Sequence, residues 1–271
     1  MRWTSQGRSG RRVPVAVLAL CLVVQLHWPR LSLAEPMSRM FEPTDLELQE
    51  PGVLQLDMQF GPVRGQGSYR LDAPDFEINL GLTNNIELDV DGDPAIGGPD
   101  SGDFRFNQLS PDNLWTSVKV GLLDYADTSA DTAWTVGLQV GPKLPLARGA
   151  EGVGVEGLVL LGLRIHHTQL VLNLGGLLDP APDSISQRPS GPELGLDINY
   201  GLDADGHWAL TGEISAITYT SPDPYQFTTT AGITWSPTDD LDLSIVVLRG
   251  WLDGGDRSGV LLGISPKFHL W

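Results

Sequence analysis

In Leu54-Gln55-Leu56-Asp57-Met58-Gln59-Phe60 every second residue is apolar and the residues between are polar. The same alternation runs through Phe76-Glu77-Ile78-Asn79-Leu80, Ile86-Glu87-Leu88-Asp89-Val90, Leu194-Gly195-Leu196-Asp197-Ile198-Asn199-Tyr200 and Leu241-Asp242-Leu243-Ser244-Ile245. Successive side chains of a strand point to opposite faces, so each segment carries one apolar face and one polar or glycine face. A helical bundle is disfavoured as well, because 32 Gly and 20 Pro in 271 residues would interrupt helix interiors. The chain reads as all-β.

Segments of this kind lie near 53–60, 74–82, 86–92, 114–123, 133–141, 154–164, 168–178, 192–200, 207–218, 225–235, 241–249 and 258–270. Most have the roughly 9–11 residues that a tilted strand needs to cross a bilayer. The connections sort by parity. Thr83-Asn84-Asn85, His166-His167, Asp203-Ala204-Asp205-Gly206 and Ser236-Pro237-Thr238-Asp239-Asp240 are tight turns. Longer Pro/Gly/Asp-rich links fall between them, near 61–73, 93–113, 142–153, 179–191 and 250–257. A membrane barrel alternates short periplasmic turns with longer external loops, whereas a sandwich has no reason to do so. Two links depart from the rule: 219–224 is short for an external loop and 124–132 long for a turn. The expected fold is a transmembrane antiparallel up-and-down β-barrel of about 12 strands, with a soluble periplasmic β-sandwich as the less favoured alternative.

Aromatics mark strand ends. If the first strand runs outward, Trp134, Tyr200, Trp208 and Trp235 fall at periplasmic ends, and Trp115, Tyr219, Tyr225 and Trp251 near external ends. Two such girdles suit rings placed between headgroups and hydrocarbon.

The N-terminus reads separately. Arg2, Arg8, Arg11 and Arg12 precede a mostly apolar stretch from Val13 to Leu26, and Ser32-Leu33-Ala34 offers small residues for cleavage. Residues 1–34 therefore read as a signal peptide, 35–51 as a periplasmic N-terminal segment and 52–271 as the barrel. The apolar stretch is short of the ~20 residues of a spanning helix. The whole chain carries a net charge of −17. Removing 1–34 takes away five Arg and no acid, leaving 12 bases against 34 acids, a net of −22 (12 − 34). Nucleic acid is excluded as a partner, since phosphate binding needs clustered Lys and Arg. The single Cys, Cys21, excludes a disulfide scaffold.

In such a barrel the apolar face meets lipid and the alternate residues line the lumen. The lumen-lining candidates are Asp57, Glu77, Glu87, Asp89, Glu193, Asp197, Glu213 and Asp242, with Lys119 among few bases. Two readings stand: a polar network that plugs the barrel, or an acid-lined path favouring cations or neutral solutes over anions. Small inner residues such as Gly81, Gly121 and Gly195 leave room for long side chains to cross.

At these residues the chain resembles the outer-membrane family of the MetA pathway of phenol degradation. The similar segments are Gly81-Leu82-Thr83-Asn84-Asn85-Ile86-Glu87-Leu88, Gly141-Pro142-Lys143-Leu144-Pro145, Leu170-Val171-Leu172-Asn173-Leu174-Gly175 and Leu210-Thr211-Gly212-Glu213-Ile214, and the turn beginning at Ser236. The resemblance spans most of 75–271 and implies a transporter-like barrel for aromatic or other apolar compounds. It transfers no catalytic residues. One departure concerns the terminus: Val260, Leu262, Ile264, Phe268 and Leu270 share a face, and Trp271 is out of phase with them.

Motifs for other chemistry fail on context. Gly152-Val153-Gly154-Val155-Glu156-Gly157 matches a dinucleotide fingerprint but follows a loop and enters a strand, so no helix N-terminus meets a pyrophosphate. Asp89, Asp91 and Asp93 have the spacing of a calcium loop's first ligands, yet Pro94 stands where Gly is required. They remain a weak divalent candidate on an external loop. His166 and His167 are adjacent in a turn and diverge, and neither His207 nor His269 has a neighbouring nucleophile. The chain is expected not to be an enzyme and to need no cofactor. Its expected partners are outer-membrane lipid, the barrel-assembly machinery and a small solute. Its expected role is passive transport of small hydrophobic or cationic solutes; a plugged structural or binding barrel with acidic external loops is the alternative.

Overall fold

In the computed structural model each of the twelve alternating segments falls on a β-strand. The structure describes residues 48–65, 69–92, 94–97, 109–111, 114–127, 129–145, 152–178, 190–218, 225–252 and 256–271. The expected leader (1–34), most of 35–51, Asp93 and Tyr219 lie outside the described residues.

The strands are β1 (Val53–Arg64), β2 (Tyr69–Thr83), β3 (Ile86–Gly92), β4 (Pro94–Gly97), β5 (Leu109–Pro111), β6 (Leu114–Asp127) and β7 (Thr132–Leu144). They continue as β8 (Gly154–Ile165), β9 (Thr168–Leu178), β10 (Ser190–Gly201), β11 (Trp208–Ile217), β12 (Gln226–Thr238), β13 (Leu241–Gly250) and β14 (Ser258–His269). Each long strand pairs antiparallel with its neighbours in sequence, and β1 pairs with both β2 and β14. The ring β1-β2-β3-β6 through β14 is therefore a closed twelve-stranded antiparallel barrel. A soluble sandwich of two sheets is overturned by that closure.

The burial pattern is inverted relative to a water-soluble protein. In β1 the buried residues include Gln55, Asp57 and Gln59, while Phe60 on the opposite parity is exposed. Val159, Leu161 and Leu163 on β8, Ile245 and Val247 on β13, and Leu262 on β14 are likewise exposed. A continuous apolar exterior on a closed sheet has no backbone edge to satisfy, which is what hydrocarbon surroundings require. Among the described residues no helix is long and apolar enough to cross a membrane, and the barrel needs none.

Three details differ from the sequence expectation. The β6–β7 link is shorter than 124–132, because β6 continues to Asp127. A register shift between Gly121 and Leu123 moves the strand out of phase, so Leu122 and Leu123 are both exposed and simple alternation stops there. The 93–113 link is not all loop, since β4 pairs with β2 and β5 with β4, forming a short hairpin extension at that end. The 61–73 link contracts because β1 runs to Arg64 and β2 begins at Tyr69.

The tight turns share one end of the barrel. His166 and Asp131 adopt positive φ there, and the His166 N–H donates to the Asp131 carbonyl at 3.0 Å. The Asp203 carboxylate accepts from the Trp208 N–H at 2.9 Å and closes the β10–β11 turn. At the same end Gly52, at φ 84°, donates to the Gly81 carbonyl at 2.9 Å and accepts from the Leu270 N–H at 2.8 Å. A Cβ at Gly52 would meet the Trp271 carbonyl and ring, so the out-of-phase Trp271 packs against a position that only glycine fits.

Candidate functional site: the barrel interior

The polar faces of the strands converge inside the barrel, and neighbouring strands bring them together in rows. The register pairs Glu87 with Lys119 and Asp89 with Ser117 across β3–β6, and Lys119 with Gln139 across β6–β7. Lys119 Nζ donates to Glu87 Oε1 at 2.7 Å. Gln139 Nε2 donates to Asp89 Oδ2 at 3.0 Å and to Ser117 Oγ at 2.8 Å. A second group surrounds Asp57, whose carboxylate accepts from Gln55 Nε2 at 2.9 Å and Asn79 Nδ2 at 3.0 Å. Asp197 accepts from Asn173 Nδ2 at 3.3 Å, and Asp242 accepts from the Ser236 hydroxyl.

Asp57, Glu87, Asp89, Lys119, Asp197, Glu213 and Asp242 are all buried; Glu77 and Glu193 are half-buried. The sequence reading missed the pair Lys143–Glu156, at 3.1 Å on β7 and β8. Parity marks it, because Lys143 follows Gln139 and Gly141 on the inner face of β7.

Residues preceding β1 enter the same space. The Gln49 backbone N–H donates to the Glu87 carboxylate, and Gln49 Nε2 donates to Gln55 Oε1 at 3.0 Å. Glycines make the room: a Cβ at Gly81 would sit 2.1 Å from the Glu50 carbonyl, and one at Gly121 would meet the Leu48 side chain.

Of the aromatic set, Trp134, Tyr200, Trp208, Trp235, Tyr225 and Trp251 are exposed. Trp208 and Trp235 stack at 5.8 Å between centroids across β11–β12. Tyr125, which the sequence reading left out, lies 5.6 Å from Trp134; it becomes outward-facing only because of the bulge in β6. Trp115 is a correction. It is 4% exposed and turns inward, sharing the parity of Ser117 and Lys119, and packs with Leu158 and Leu160. The acidic calcium-like spacing is corrected too: Asp89 and Asp91 belong to β3 rather than to an external loop, and Asp89 is engaged by Ser117 and Gln139.

A closed antiparallel barrel with an apolar exterior and a hydrogen-bonded polar interior is the architecture of transmembrane β-barrels. No family model and no curated protein sequence matches the chain. Solved structures do. An outer-membrane channel from Pseudomonas putida F1 superposes with a TM-score of 0.55 at 11% identity, covering 84% of this chain and 100% of that one. The NanC porin gives 0.53 at 12% identity, covering 79% and 100%. At these identities the likeness concerns the fold.

Proposed function

We propose that the protein is an outer-membrane channel that passes small solutes through the barrel interior. The observation that carries this reading is the inversion of burial: Leu and Val outside, Asp, Glu, Asn and Gln inside. The apolar exterior takes outer-membrane lipid as its partner, and a chain with a leader at 1–34 reaches that membrane through the export and barrel-assembly machineries. The excess of interior carboxylates over Lys119, Lys143 and Arg164 favours cations or neutral solutes over anions. The resemblance to the MetA-pathway family adds small aromatic and apolar compounds to the candidate solutes.

Planar-bilayer recording on the refolded chain tests this. Conductance is expected, with a cation preference that falls when Asp57, Glu77 and Glu87 are made neutral. No conductance, together with no solute uptake into proteoliposomes, would overturn it. A second reading has its own support. Glu87, Asn173, Ser265 and Gln139 are 0–1% exposed, so the interior is closed to water at those residues, as in a structural or binding barrel. That reading predicts silence in the same recording.

A further inference from the structure

Glu87 is the second residue of β3, beside the tight turn that joins β2 to β3, yet it is 0% exposed. A carboxylate so near an open mouth would meet water; the residues that precede β1 keep water from it. Glu50-Pro51-Gly52-Val53 is a tight turn in which the Val53 N–H donates to the Glu50 carbonyl at 2.9 Å and Gly52 takes φ 84°. Pro at the second position and a left-handed Gly at the third suit a type II turn. The turn sends the chain back from the start of β1 into the barrel.

Residues 48–50 then lie along the inner wall over four consecutive strands. Gln49 Nε2 donates to Gln55 Oε1 of β1 at 3.0 Å, and the Gln49 backbone N–H donates to the Glu87 carboxylate of β3. On β2 the Gln49 and Glu50 carbonyls occupy the room that a Cβ at Gly81 would need. On β6 a Cβ at Gly121 would stand 2.8 Å from Leu48 Cδ1. Three strand spacings of about 4.8 Å separate β1 from β6, so the segment covers roughly 14 Å of wall. Its two ends are held differently. Gly52 is fixed by bonds to the Gly81 carbonyl and the Leu270 N–H, whereas residues 48–50 belong to no strand.

We propose that residues 48–50 are a hinged stopper of this mouth, with the Pro51-Gly52 turn as the hinge. Docked, they close the path beside Gly81, Glu87 and Gly121; withdrawn, they open it. The inference rests on the channel reading and adds to it the element that closes the channel. It also reconciles the burial of Glu87 and Lys119 with conduction, since both side chains meet water once the segment leaves. Withdrawal exchanges the Gln49–Glu87 bond for hydration of the same groups and breaks no bond of the barrel wall, so the closed and open forms lie close in free energy.

The test is single-channel recording on the full chain in planar bilayers, with folding checked by heat-modifiable migration. In a Cys21→Ser background, Leu48→Cys with Gly121→Cys supplies the only two thiols and, once oxidised, ties the segment to β6. The oxidised form is expected to lose its open events, and a reducing agent to restore them. Gly81→Ala with Gly121→Val pushes the segment from the wall. Leu48→Asp with Gln49→Pro loosens it while leaving every strand residue in place, because Pro has no N–H for Glu87 and the new carboxylate lies near that of Glu87. Both variants should spend a larger fraction of time open than the wild type. An open fraction that is the same in the wild type, the oxidised pair and both loosened variants would overturn the stopper and leave the channel reading standing. Silence of every folded form, the loosened variants included, would overturn the channel reading and the stopper with it.

Discussion

Lys119 Nζ lies 2.7 Å from Glu87 Oε1 with the two side chains only 2% and 1% exposed, so each is the other's compensation for leaving water. Breaking such a pair strands a buried charge, at a cost of about 3–5 kcal/mol. Lys119→Met should lower the urea midpoint of the barrel in lipid vesicles markedly. The double variant Lys119→Met with Glu87→Gln should recover most of the loss. A single variant as stable as the wild type would show that the pair does not hold the barrel.

The outer face makes a different prediction. Leu161 is exposed on β8 between Val136 and Leu172 of the adjoining strands. Leu161→Arg should cost about 2–4 kcal/mol in a bilayer if this surface meets the hydrocarbon midplane. An unchanged unfolding free energy in vesicles would place that surface in water.

Gly81→Ala tests the segment that enters the barrel. The added methyl group would collide with the Gln49 and Glu50 carbonyls, which are backbone atoms with little freedom to yield. The expected result is a folded barrel in which the bond between Gln49 and Glu87 is lost and the chain is cut more readily around residues 48–50 by added protease. Unchanged protection would show that the segment adjusts.

The exposed pair Trp208 and Trp235 should sit at the membrane interface. Lipids brominated near the headgroup should quench more of the wild-type tryptophan emission than that of the double variant Trp208→Phe, Trp235→Phe. Equal quenching of the two would remove these residues from the girdle.

The fold was legible because alternation survives wherever a strand has one lipid face and one inner face. Val159-Leu160-Leu161 shows where the pattern blurs: Leu160 is fully buried inside, and an apolar inner residue erases the contrast between the faces. The bulge at Leu122 defeated parity in another way, by placing two consecutive leucines outside. Trp115 was misplaced because its position near a strand end outweighed its phase, although Ser117 and Lys119 two and four residues on carried the correct phase. The packing of Trp115 on Leu158 and Leu160 was out of reach, since it joins β6 to β8 across β7, a distance no local pattern encodes.

The pairing of β1 with β14 also dictates an order of events. Val53 opposes His269 and Arg64 opposes Ser258, so β1 has β2 on one side and nothing on the other until β14 arrives. Until then every intermediate carries two open edges and an unsealed wall. A chain stopped after β13 would thus be left as a curved sheet with both margins free to pair with other chains. Sealing therefore waits for the last strand, and a sheet short of it keeps the kind of open margin that invites pairing with another chain.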